Sequence, residues 1–598
     1  MCPSPRHVAP TLVDAVRALE GDAERGFVFV RADGSERLRT FHEMSAEAGR
    51  RAAALAALGL AKGDRIALVV PDGEEFVLSL LGALFAGLVP VPLYPQLSLN
   101  SIDAYHDTVA HITRAASATV ILTTAAAKPY LDGVVERVDG LRSIVTVEDL
   151  AASKETMCAA VSADDLALIQ FTSGSTSRPK GVMVTHGNLA ANAEAFMVHG
   201  LDRDPRVDKG VSWLPLFHDM GLIGFVVGPL FTNVPCVLLP TASFARRPRL
   251  WLDKIHEHRG TITYAPNFAY ALVAKRLKDR EVDGLDLSCL RVSGCGAEPI
   301  QAKVLRDFAK TLAPAHFDPR AFLPSYGMAE ATLAITFTEL RSGLRTDTVD
   351  SKALAKGNAL PAEPSETASE IVDCGRCFPG HDLAIVDTEG YRLGDRQVGQ
   401  IVARGPSIAK GYFREPRLTA QTYKSLVGDA LGDTPWLHTG DLGYTVDNRL
   451  FVCGRVKDVI IVRGRNYYPS DIEWAVTEAS RLRRGNVVAF GVFVDAGGLA
   501  SEGSAGDEQL VVCCEGHSAE VESIREATTA VIGSRFGLSV HEVVVAPFAS
   551  LPRTSSGKPK RRETRQKYLD GSLSRARSVQ SGEGRPVHGD DHGPGAEG

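Results

Sequence analysis

The chain has no unbroken apolar stretch of the roughly 20 residues that a membrane helix needs. Its two most apolar runs, residues 76–93 and 221–240, are both cut by glycine and proline, so no integral membrane segment is expected. The opening MCPSPRHVAP lacks a charged stretch followed by an apolar core, so no secretory leader is expected. Positive charge is not in excess. Lys and Arg number 66 against 72 Asp and Glu, a net charge of -6, which makes nucleic acid a poor partner. The ten cysteines include no paired C-x-x-C set of the kind that holds zinc. Cys374 and Cys377 form one lone C-x-x-C, and Cys513 and Cys514 are adjacent. Reduced thiols in a cytoplasmic protein are therefore expected. No internal repeat is found.

What is present exceeds one hydrophobic core: 598 residues call for several folding units. Residues 41–150 alternate helix signals (46–60, 74–86, 105–117, 125–138) with strand signals (65–70, 89–93, 118–123, 143–147). That alternation predicts an α/β sheet with largely parallel strands. It is interrupted by QFTSGSTSRPKGVMVTH at 170–186. Thr172, Ser173, Ser175, Thr176 and Ser177 surround Gly174, and Lys180 follows. Such a loop can turn backbone N–H groups, hydroxyls and a cation toward one polyphosphate. It is not a Walker A loop, because the Gly174–Lys180 spacing is one residue too long and glycine follows the lysine. The flanks predict strand–loop–strand, then a helix capped at Asn188. In WLPLFHDMGLIG, His218 and Asp219 sit between apolar arms, as a gate or wall of an apolar pocket would. RVSGCGAEPI (291–300) and PSYGMAEAT (324–332) read as turns at the carboxyl ends of strands, where α/β sheets bind ligands. Residues 338–371 are polar and read as an exposed insertion with a short helix. A β-rich stretch follows, with Asp441 placed on a turn. A compact α+β unit comes next, and the composition from residue 571 predicts a disordered tail.

FTSGSTSRPKG, GCGAEP, SYGMAEAT, HTGDLG, GRVKDVIIVRGRNYYPSDIE and PRTSSGKPKR occur in this order at suitable distances. Together they resemble the acyl-adenylate-forming (AMP-binding) superfamily over nearly the whole chain. WLPLFHDMGLIG, the RGRNYYPSDIE wording and the polar stretch at about 340–370 make it most similar to the fatty acyl-AMP ligase branch. The resemblance implies a large N-terminal domain (1–456) of two α/β subdomains plus a β subdomain. A small α+β C-terminal domain (457–570) would follow, hinged at Lys457 and Asp458 and rotating between half-reactions. The substrates implied are ATP with Mg²⁺ and a fatty acid. Thr172–Lys180 would hold the β- and γ-phosphates and Glu330 the Mg²⁺. Tyr326 would stack on adenine, with Gly296, Ala297 and Glu298 lining its site. Asp441 and Arg455 would hold the ribose. Lys558 would swing in to neutralise charge near the α-phosphate. His218, Met220 and Gly221 would border the acyl pocket. The acyl group would pass to the phosphopantetheine thiol of a separate acyl carrier protein of a polyketide or peptide synthase, so no cysteine of this chain need be catalytic.

Two departures bear on the substrate. Ala329 precedes Glu330 where acyl-CoA synthetases usually have threonine. His218 stands where amino-acid-activating relatives commonly have aspartate, which argues against an α-amino substrate. An acyl-CoA synthetase, and a non-catalytic nucleotide-binding scaffold, are the alternative readings of the same motifs.

Overall fold

A computed structural model describes residues 8–96, 102–150, 153–172, 179–277, 282–365, 367–428, 435–463, 465–483, 485–495, 498–500, 507–554 and 558–576. The chain forms two compact units, one of residues 1–470 with 554–558, the other of 471–553 with residues from 559 on. Among the described residues no helix is long and apolar enough to cross a membrane.

In the first unit the early alternation folds into a four-stranded parallel sheet. Its order is Val89–Pro92, Arg65–Val69, Val120–Thr123, Ser143–Thr146. The helix expected at 46–60 starts earlier, as Phe41–Ala57, because Thr40 and Glu43 cap its end reciprocally. The helix expected at 125–138 is instead two short turns, Lys128–Leu131 and Asp132–Val135. Pro129 opens the first, and Gly133 lies against the His106 ring, where a Cβ would come within 2.6 Å.

The second sheet runs in the order Arg376–Cys377, Ala334–Phe337, Phe322–Gly327, Val292–Cys295, Ile262–Ala265, Gly210–Ser212, Cys236–Leu238, Gly26–Val30, Glu36–Thr40. Its central strands are all parallel. The carboxyl ends of Ile262–Ala265, Val292–Cys295 and Phe322–Gly327 therefore lie side by side, and the predicted ligand turns leave from them. Beneath them Trp251 donates to Thr263 (2.9 Å), and Thr263 to the Val211 carbonyl (2.7 Å).

Leu166–Thr172 and Lys180–Thr185 pair as the expected strand–loop–strand. The following helix, His186–Ala193, is capped by Thr185, not Asn188. Asn188 completes the cap from the third position and also donates to the Pro406 and Ile408 carbonyls at 2.8 and 3.0 Å. His186 is 1% exposed, and burial lowers its pKa to about 4 despite Asp165 and Asp14 nearby. The folded chain thus keeps this imidazole neutral while the unfolded chain takes a proton near pH 6.5. Its contribution is fully present above pH 6.5 and declines as pH falls toward 4, by about 3 kcal/mol in all. Denaturant unfolding of His186→Gln should lose less stability than wild type across that window. Equal slopes would remove His186 from the account.

The polar stretch is more than an exposed insertion. Thr346–Asp350 pairs with Ala368–Val372, joined through the turn Ser351–Leu354. Val349, Leu354 and Ala359 bury against Tyr444, Phe451 and Cys453. Asp347 accepts from Tyr444 (2.8 Å) and Arg396 (2.9 Å). A β subdomain carries Asp382–Val386, Gly399–Arg404, Trp436–Val446 and Arg449–Arg455. Asp441 lies within the long strand Trp436–Val446, opposite Arg455, and not on a turn.

The first compact unit runs on through Ser470, past the expected start of the small domain at 457. The hairpin Ile460–Val462/Arg465–Tyr467 stays with the first unit because Asn466 donates to the Ala355 carbonyl (2.9 Å) and Tyr468 packs beside Tyr444.

The second unit is α+β, as expected. Its sheet order is Gly498–Ala500, Val487–Asp495, Asp507–Glu515, Val540–Ala546, with helices Val521–Phe536 and Arg561–Leu569. The expected tail begins too early at 571. Leu573 is buried in this core and Ala576 donates to the Val545 carbonyl at 2.8 Å. The rest of the tail, from 577, lies outside the described residues. Among the described residues no disulfide joins any cysteine.

Candidate active site

The strand Val292–Cys295 ends in Gly296, Ala297 and Glu298. Gly296 approaches the neighbouring strand so closely that a Cβ would lie 2.9 Å from the Ser325 hydroxyl and 3.1 Å from its carbonyl. Ala297 takes a left-handed conformation (φ 67°), which costs a non-glycine residue energy and is typical of functional turns. It leaves its carbonyl to accept from the Lys558 ammonium. Glu298 accepts from the Phe268 N–H at 2.6 Å, at the start of the helix Asn267–Arg276.

Next along the sheet, Tyr326 donates to Asp441 Oδ2 at 2.8 Å, and Arg455 Nε donates to Asp441 Oδ1 at 3.1 Å. Burial raises the Asp441 pKa, and the Arg455 charge and both hydrogen bonds oppose that rise. Three motifs that are distant in sequence thus share one carboxylate. Glu330 follows on the turn Ala329–Ala331. Its Oε1 accepts from the Tyr412 hydroxyl at 2.8 Å. Burial raises its pKa, with Tyr412 opposing, and no ion pair to it is found among the described residues. The Arg455 charge also opposes the rise, and a buried carboxylate with one neutral hydrogen-bond donor and no direct ion pair among the described residues fits a divalent ion. Lys180 lies 5.8 Å from the centre of the Tyr412 ring, so Tyr412 stands between Lys180 and Glu330. The backbone is tied there too: Met183 donates to Gly411 (2.9 Å) and Phe413 to Gly181 (2.8 Å). Thr172 pairs in register with Lys180. Ser173, Gly174, Ser175, Thr176 and Ser177 lie outside the described residues.

His218 precedes the helical turn Asp219–Leu222. Burial, then the Lys558 charge, lowers its pKa to about 4, so the ring is neutral at neutral pH. Burial raises the Asp219 pKa, and Lys558 opposes that rise. Lys558 in turn is lowered by burial and held up by Glu298, Asp219 and Asp441. Beyond this polar mouth runs an apolar cavity. Its lining includes Phe196, Met197, Gly224, Phe225 and Phe337, together with Asp219, Met220, Gly296, Ala297 and Tyr326. Two of its walls are π-helical, Glu194–Gly200 and Ile223–Val227, a geometry that recurs at functional sites. Met220 lines the cavity. His218 and Gly221 do not, and a Cβ on Gly221 would lie 2.2 Å from the Pro215 carbonyl. Lys457 and Asp458 lie on the turn Val456–Asp458, directly after Arg455.

The AMP-binding enzyme family profile matches residues 18–413. The chain belongs to this AMP-binding family. Within it, the chain is similar to "Putative acyl-CoA synthetase" of Caulobacter vibrioides, with 35% identity over 94% of this chain and 96% of that one. It is similar to the long-chain-fatty-acid–AMP ligase FadD26 of Mycobacterium marinum, with 34% identity over 86% and 88%. It is also similar to the medium-chain-fatty-acid–[acyl-carrier-protein] ligase JamA of Moorena producens, with 34% identity over 86% and 87%. Among solved structures, a fatty acyl-adenylate ligase from a study of the E. coli and L. pneumophila enzymes superposes with a TM-score of 0.86. It shares 34% identity over 95% of this chain and 100% of that one. This AMP-binding enzyme is a ligase of the fatty acyl-AMP ligase branch.

Motif reasoning named Tyr326, Glu330, Asp441, Arg455, Ala297 and Lys558, and they do converge. It missed Tyr412, which lies in KGYFREP between the named motifs. It also missed Tyr264 and the π-helical walls, whose roles depend on tertiary packing.

Proposed function

We propose that this protein activates a fatty acid with ATP and passes the acyl group to the phosphopantetheine thiol of a separate acyl carrier protein. The observation that carries the reading is the meeting of Lys558, Ala297, Glu330 and the Tyr326–Asp441–Arg455 set at the mouth of an apolar cavity. A fatty acid needs the cavity, and its carboxylate needs the cationic mouth. In the first step a carboxylate oxygen bonds to the α-phosphorus, the bond to the bridging oxygen breaks, and pyrophosphate leaves. Lys558 offsets negative charge there, while Asp441 and Arg455 fix the ribose and Tyr326 borders the adenine. Catalysis is then positioning and charge stabilisation. Glu330 would hold Mg²⁺, which supplies charge neutralisation on the phosphate oxygens. In the second step the carrier's thiol adds to the acyl carbonyl, AMP leaves with the acyl C–O electron pair, and the thiol proton passes to solvent.

Carrier transfer is favoured by the insertion. It packs against Tyr468 and Val459 and accepts from Asn466, so it grips the segment just after Lys457 and Asp458, where the pivot would lie. The JamA likeness supports the same acceptor. The Caulobacter relative's name keeps coenzyme A as the second reading. With fatty acid, ATP and Mg²⁺, the protein should release pyrophosphate and form acyl-AMP. It should then label a phosphopantetheinylated carrier protein, spare the unmodified carrier, and make little acyl-CoA. Abundant acyl-CoA would transfer the protein to the second reading. ATP binding without pyrophosphate release on any acid would make it a scaffold.

A further inference from the structure

Three hydroxyl-bearing residues line the apolar cavity: Tyr264, Ser325 and Tyr326. Tyr326 donates to Asp441 (2.8 Å) and Ser325 to the Cys295 carbonyl (3.2 Å). The buried Tyr264 hydroxyl has no hydrogen-bond partner among the described residues. Ser325 is near enough to ease the upward pull of burial on this phenol, yet it stands outside hydrogen-bonding geometry. Tyr264 as a whole is 9% exposed. Its hydroxyl stays protonated, and it is a donor with nothing to donate to. Burying such a group is unfavourable unless a partner arrives.

The ring is held firmly. It crosses the adjacent strand at Gly294, where a Cβ would fall 2.0 Å from a ring carbon. Phe337 packs beside it with ring centres 5.8 Å apart. Its position along the cavity can be read from strand register. Ile262 pairs with Gly210, and Gly210 with Cys236, and all three line the cavity at one level. Tyr264 is two residues further toward the carboxyl ends, roughly 6–7 Å on. Ser325 and Gly296 lie at that end, one residue before Tyr326 and Ala297. Tyr264 therefore borders the part of the cavity that the first carbons of a bound acid would occupy, not its tail.

We propose that the acid activated here carries an oxygen, as hydroxyl or carbonyl, on one of the carbons nearest its carboxylate, and that Tyr264 donates to that oxygen. This rests on the acyl-adenylate reading above. A site built to hydrogen-bond a substrate oxygen discriminates against the analogue that lacks it. The test is pyrophosphate release by the full chain with dodecanoic acid and its α-, β- and γ-hydroxy and oxo derivatives. Wild type should prefer at least one oxygenated acid by about 10-fold or more in kcat/KM. Tyr264→Phe should collapse that ratio to near unity, because the ring remains and only the donor is lost. Wild type that turns over dodecanoic acid as well as every derivative overturns the proposal. So does a Tyr264→Phe enzyme that keeps the full preference. If no acid releases pyrophosphate, the acyl-adenylate reading fails first, which is a different result from either of these.

Discussion

Lys558→Ala should slow acyl-adenylate formation by roughly 10²–10³-fold, the loss seen when one preorganised charge stabiliser is removed. The Nζ rests on the Ala297 carbonyl, with Glu298, Asp219 and Asp441 supplying opposing charge. Those carboxylates hold the ammonium in place before any phosphate arrives, so little reorganisation is left for the reacting state. The substitution removes a half-buried cation and leaves the Ala297 carbonyl without this donor. Asp219, already raised by burial, should then hold its proton more strongly. On the proposed assignment of the ribose to Asp441 and Arg455 and the adenine to Tyr326, the loss should fall mainly on kcat and only weakly on the KM for ATP. Single-turnover pyrophosphate release measures the first quantity, and titration with a non-hydrolysable ATP analogue the second. Lys558→Arg should recover part of the rate, limited by a fork that does not fit a site built round one carbonyl. Adenylation at the wild-type rate in Lys558→Ala would remove Lys558 from the mechanism.

Much of the fold was legible because strands here are short, apolar and bounded by glycine or proline. Residues 65–69, between Gly63 and Pro71, and 89–92, between Gly87 and Pro95, show this. The site was legible because its chemistry sits in ordered motifs, and Tyr326 and Asp441 meet although 115 residues separate them. Other features depend on contacts that no local window contains. Val349, Leu354 and Ala359 are scattered through a polar stretch, and only the folded hairpin gathers them onto Tyr444 and Phe451. Asp441 follows Gly440, whose φ of 76° mimics a turn, yet pairing with Arg455 carries the strand through. Asn188 has the chemistry of a helix cap, but Thr185 was free to take that place first. Tyr412 carries no motif. Its importance comes from where Lys180 and Glu330 lie on either side of it. The loop expected to hold phosphates falls largely in residues 173–178, outside those described.

Gly327→Ala should be as damaging as any change to a charged residue, although the glycine touches no substrate. A Cβ at this position would fall 1.9 Å from the Leu333 carbonyl oxygen and 2.9 Å from the Ala334 Cα. Both atoms are backbone, so no side chain can rotate away to make room. The strand pair Phe322–Gly327 and Ala334–Phe337 would have to part, and it already shifts register between Tyr326 and Gly327. Overpacking of this kind costs about 1–3 kcal/mol where side chains can adjust, and the backbone here raises the expectation to the top of that range. The displacement falls between Tyr326 and Glu330, which must stay in register with Asp441 and Tyr412. A shift of about 1 Å at such a point is enough for a loss near 10²-fold in rate. The variant should therefore unfold at lower denaturant and adenylate about 100-fold more slowly, even at temperatures where it is fully folded. Asn192 gives a local check: its side chain exchanges hydrogen bonds with the Ala334 N–H and carbonyl at 3.1 and 2.9 Å. Hydrogen exchange at Ala334 should accelerate in Gly327→Ala well before global unfolding. Normal exchange there with normal activity would mean that the strand pair tolerates the methyl group and that its close approach does not hold the site.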